Sequence, residues 1–135
     1  VVLTALQLAA LGLVQAVPGT TGGLTMHRTL SAATTNATVV KASAGQVYDI
    51  EVFNVNAAAR FLKLYNKATA PTVGTDVPVK TILIPGNATG TGVVKGWATG
   101  LAFSAGIGFA LTTAVADSDT GAVAANEIIV NIDYK

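Results

Sequence analysis

The 135-residue chain has no cysteine, so disulfide staples, thiolate nucleophiles and Cys-ligated zinc are excluded together. It has one histidine, His27, in what reads as a linker, so a Ser-His-Asp nucleophile system would rest on that one residue. Charge is scarce as well. Asp, Glu, Lys and Arg make up 11% of the chain, against about 25% in an average soluble domain. The eight Lys and Arg residues are scattered from Arg28 to Lys135 and the net charge is +1, which excludes the clustered basic stripe of a nucleic-acid groove. A surface built from Thr, Asn, Ser, Gly and Ala is weak at keeping copies apart. Charge depletion is also the mark of buried interface cores. Composition therefore points to a protein that hides part of its surface in an assembly.

The first 23 residues, "VVLTALQLAALGLVQAVPGTTGG", carry no charged side chain. The segment lacks the basic n-region of a secretion signal, although Val14-Gln15-Ala16 resembles a cleavage site. Thr4, Gln7, Gly12 and Gln15 interrupt the run before the roughly 20 apolar residues of a membrane span. On a helical wheel the three polar side chains fall in one narrow stripe, leaving Leu3, Leu6, Leu13 and Val17 for contact. Pro18-Gly19 and Gly22-Gly23 then form a hinge. The expected organisation is an apolar arm and hinge over 1–23, helical or extended, followed by a β domain over 24–135.

From about residue 37 the apolar pattern has period two, with breakers at short intervals. Strands are expected in "TVVKAS" (38–43), "QVYDIEVFNV" (46–55), "ARFLKLYN" (59–66), "VKTILIPG" (79–86), "VVKGWA" (93–98), "GLAFSAGIGFALTTA" (100–114) and "EIIVNIDYK" (127–135). In the second, Tyr48, Ile50 and Val52 should face the core and Asp49 and Glu51 the solvent. The third is close enough to be its hairpin partner. Gly106 and Gly108 suggest a bulge or a close backbone approach. "KATAPTVGTDVP" and "VADSDTGAVAAN" read as loops. The expected fold is all-β: a jelly-roll or Greek-key β-sandwich of seven to eight strands.

Motifs for chemistry are thin. "DSDTG" places Asp117 and Asp119 at alternate positions before a glycine, a fragment of a calcium loop without its remaining ligands, and an acidic turn is the default. "TGTGVVKG" lacks the order that cradles phosphate. Trp97 with Tyr48, Tyr65 and Tyr134 offers a sugar-stacking platform as the sharper reading and core or interface anchors as the plainer one. Asn36-Ala37-Thr38 and Asn87-Ala88-Thr89 match glycosylation acceptors, matches expected often in a Thr-rich chain.

The segments "VKASAGQVYDIEVFN", "ARFLKLYNKATAPTVGTDVPVKTILIP" and "FSAGIGFALTTAVADSDTGAVAANEIIVNIDYK", taken together, resemble the small β-rich virion proteins of tailed bacteriophages. The resemblance covers about Val40 to Lys135, and the Ala-Asp-x-Asp-Thr...Ala-Ala-Asn-x-x-x-Val-Asn ending is its most specific part. It implies a structural virion component with no enzyme activity and no cofactor. A charge-poor surface and an apolar arm suit a part fixed by many neighbours. The expected role is thus a capsid decoration or cement protein, a homotrimer on the major capsid protein, contacting neither nucleic acid nor membrane. In that role Arg60, Lys63 and Lys67 would meet acidic capsid patches and the arm would be covered by neighbours. A tail fibre, spike or baseplate component is the alternative, and a secreted carbohydrate-binding module a third.

Overall fold

The computed structural model describes residues 2–12 and 22–135. Eight strands follow a short helix α1 (Ala5–Ala10): β1 (Thr25–Leu30), β2 (Thr38–Lys41), β3 (Gly45–Asn54), β4 (Arg60–Asn66), β5 (Lys80–Ile84), β6 (Thr91–Phe103), β7 (Ile107–Thr112) and β8 (Ile128–Tyr134). They form two four-stranded sheets, ordered β1-β8-β3-β6 and β2-β7-β4-β5. Every pairing is antiparallel, and the first strand pairs with the last, the second with the seventh, the third with the sixth and the fourth with the fifth. The chain is thus one long nested hairpin bent over into two layers. Further pairing of β3 with β8 and of β4 with β7 closes each layer.

The core lies between the layers and follows the period-two pattern. Val47, Ile50, Val52, Ile128, Val130 and Ile132 from one sheet meet Leu62, Leu64, Ile82, Ile84, Phe109 and Leu111 from the other. Each such fully buried aliphatic side chain contributes about 1.5–3 kcal/mol relative to exposure. The expected β-sandwich is therefore present.

Three local expectations are corrected. Tyr48 does not share the core face of Ile50 and Val52, because the register of β3 shifts between Val47 and Asp49 against both β6 and β8. The shift puts Val47 in the core and leaves Tyr48 half-buried, its hydroxyl donating to Gln46 Oε1 at 2.6 Å. β4 is not the hairpin partner of β3: the 55–59 link crosses from one sheet to the other. The buried Asn54 fixes that crossing, its amide donating to the carbonyls of Ala58 and Pro85 and its Oδ1 accepting from the Asn56 N–H. Third, His27 lies in β1, not in a linker. Alternation was hard to read there because the inward side chains, His27 and Thr29, are polar and the outward ones, Met26 and Leu30, are apolar.

The arm is helical over α1. Thr4 Oγ1 accepts from the Gln7 N–H and Gln7 Oε1 accepts from the Thr4 N–H, a reciprocal capping box. Gly12, at φ +68°, ends the helix in the left-handed conformation favoured after a C-cap. Leu3 and Leu6 are exposed; Leu13 and Val17 lie outside the described residues.

Candidate functional site

The two sheets differ on their outer sides. β7 is buried on both faces, and so is most of β4, because loops cover the middle of the β2-β7-β4-β5 sheet, while Val39 of β2 and Leu83 of β5 stay exposed at its edges. Pro71 packs near Gly108, Val123 joins the core, and the buried Lys63 donates its ammonium to the Ala116 carbonyl. Among the described residues the outer face of β1-β8-β3-β6 has no such cover.

Strand register orders that face into rows. Leu30, Ile129 and Phe53 are cross-strand neighbours, with Gly92 opposite Phe53. A Cβ on Gly92 would meet the Phe53 ring, so the glycine leaves that ring room to lie across β6. The next row is Arg28, Asn131, Glu51 and Val94; the third is Met26, Asp133, Asp49 and Gly96. Met26 is 82% exposed, Val94 63%, Phe53 43% and Leu30 42%. Met26, Arg28, Asp49, Glu51, Asn131 and Asp133 line an open depression of about 450 Å³. Asp49 Oδ1 is covered there without a hydrogen-bond partner among the described residues. The face is therefore apolar at one end and mainly acidic at the other, an arrangement suited to docking.

No family model, curated protein or solved structure matches this chain.

The cations expected at an interface are each engaged within the chain. Arg60 Nε donates to Glu127 Oε1 at 2.7 Å, with both side chains largely buried. Lys63 is fully buried, so it offers nothing to a partner surface. Lys67 is partly exposed but pairs with Asp76 at 2.6 Å. Alternation explains the burial of Lys63: with Leu62 and Leu64 in the core, it must point outward, where the 113–127 loop lies over it. Asp76 is held below the ordinary carboxylate range by the Lys67 ammonium and the Thr72 N–H.

Asp117 and Asp119 sit in a hydrogen-bonded turn. Asp119 Oδ2 accepts from the Ala114 N–H and the Asp119 N–H donates to the Ala116 carbonyl, both at 2.9 Å. Among the described residues no group of three or more His, Cys, Asp or Glu side chains is placed to hold a metal ion. Trp97 packs half-buried against the core, and the Lys80 ammonium lies 5.7 Å from its ring centroid, which covers the ring a sugar would stack on. His27 faces inward, its Nε2 2.9 Å from Thr29 Oγ1 and its ring edge-on to Phe109. Burial holds its pKa below 6.5.

Sequence reasoning missed the apolar row of Leu30, Ile129 and Phe53 and the exposed Val94 in the row next to it. One signal was available: Phe53 continues the alternation of Asp49 and Glu51, so a large aromatic sits on the wet side of β3.

Proposed function

We propose that this chain is a structural protein of a bacteriophage virion, a capsid decoration protein of jelly-roll topology that binds the major capsid shell as a homotrimer and stabilises it. The nested strand pairing in two four-stranded sheets supports the jelly-roll reading, because folding an eight-stranded hairpin across itself generates that order. The observation that carries the role is the uncovered apolar row on the β1-β8-β3-β6 sheet of a chain that also exposes an apolar arm. Small contacts repeated across neighbouring capsid subunits give an avidity that no single contact supplies.

The test is copy number in purified particles by quantitative mass spectrometry. Hundreds of copies per particle are expected. A few to a few dozen would instead indicate a tail fibre, spike or baseplate part, and absence from particles would end the virion reading.

A further inference from the structure

We propose that the outer face of the β1-β8-β3-β6 sheet seats the N-terminal arm of a second copy of this chain. The inference rests on the reading that the chain works as an oligomer, and it names the surface and the occupant. Two apolar elements are left bare on one molecule. The arm exposes Leu3, Leu6 and Leu11, with Leu6 at 81%; the sheet exposes Leu30, Phe53 and Val94 beside half-buried Ile129. α1 is six residues long, far below the roughly 12–15 at which an isolated helix holds in water. Its persistence needs a surface to pack on.

The pattern of β1 marks the sheet face as that surface. An ordinary half-buried strand puts its apolar side inward, whereas β1 turns His27 and Thr29 to the core and Met26 and Leu30 out. That inversion is stabilising only when something covers the outside. The arm also starts from the right place. The Lys135 ammonium donates to the carbonyls of Gly22 and Gly23 at 2.9 and 2.7 Å, which fixes the chain just before β1 at the Met26 end of this face. The ten residues from Gly12 to Gly22 span at most about 35 Å when extended, enough to reach a neighbouring domain.

Charge sorts the contact. The arm has no charged side chain, so its leucines suit the row of Leu30, Ile129 and Phe53, with Val94 exposed beside it in the adjoining row. Arg28, Asp49, Glu51 and Asp133 form the wet rim. The occupant is taken to be a second copy, since the described arm residues, 2–12, leave Met26, Leu30 and Phe53 of their own sheet exposed. An arm-to-face contact is heterologous, and repeated around a closed ring it uses each arm and each face once.

The chain is free of cysteine, so cross-linking is unambiguous. Full-length Leu6→Cys protein is mixed with full-length Leu30→Cys, Phe53→Cys or Val94→Cys protein, oxidised mildly and run on a non-reducing gel. A covalent two-chain product is expected in at least one mixture and in none of the variants alone. Phe53→Glu is expected to raise the self-dissociation constant at least about tenfold by analytical ultracentrifugation, with unchanged far-UV circular dichroism. An oligomer that gives no mixed product at any of the three positions would overturn the arm-to-face contact while leaving the virion reading intact. Covalent dimers of the Leu6→Cys variant alone would overturn it too, since arms would then meet arms. So would a disulfide that closes within one chain of a Leu6→Cys/Phe53→Cys double variant, or a protein that stays monomeric at every concentration.

Discussion

At the scale of single residues, Arg60, Lys63, Lys67, Asp76 and Glu127 are engaged within the fold itself. Glu127 accepts from Arg60 and Asn56 beneath the link that carries the chain between sheets. Burial pushes its pKa up, but the donors Arg60, the Ala124 N–H and Asn56 outweigh burial and the net shift is downward from 4.5. A carboxylate with a depressed folded-state pKa stabilises fully above its unfolded value and loses that contribution as pH falls through the folded one. Urea midpoints measured downward from pH 6 should therefore drop below about pH 4.5, with that part of the drop missing in Glu127→Gln. At neutral pH the same variant should lose about 3 kcal/mol, the lower end of the cost of breaking a largely buried pair. Tyr65 predicts the opposite sign. Its hydroxyl is buried without a hydrogen-bond partner among the described residues, so Tyr65→Phe should leave stability unchanged or raise it by up to about 1 kcal/mol in thermal melts. Neither environment was legible beforehand, because Glu127 and Arg60 are 67 positions apart and nothing local pairs them.

At the scale of elements, alternation revealed strands whose inner side is apolar and failed where it is not. β3, β4, β5, β7 and β8 were legible from their buried aliphatic side chains. β1 was not, since its inward residues are polar, and the β3–β4 link looked like a hairpin because a short connection is equally short within or between sheets. What decides the crossing is close packing of two links. A Cβ on Gly86 would lie 2.3 Å from the Ala57 carbonyl oxygen and 2.4 Å from the Ala58 carbonyl carbon, so the β5–β6 link passes directly against the β3–β4 link. Gly86→Ala should destabilise the protein by about 1–3 kcal/mol, the usual cost of forcing atoms into a packed site. Chemical denaturation measures it, with Gly90→Ala a poor control because Gly90 sits at φ +100°. Gly96→Ala serves better, its added methyl meeting nothing closer than 3.7 Å.

At the scale of the whole molecule, the buried core cluster draws on residues from Val47 to Ile132. Deleting residues 1–17 should therefore leave the unfolding free energy within about 0.5 kcal/mol of the undeleted chain while weakening self-association or particle binding. Equal association by ultracentrifugation and equal particle retention would remove the arm from the assembly. The sequence by itself determined the all-β class and the shortage of charge, because composition and period-two spacing act through each residue's own neighbours. Tertiary structure alone decided which sheet face the described residues leave bare, that Arg60, Lys63 and Lys67 find partners within the chain, and that Phe53, Leu30 and Ile129 form one row. Those outcomes depend on strand register and on which loop folds over which sheet, and both are set by contacts between residues far apart in the chain.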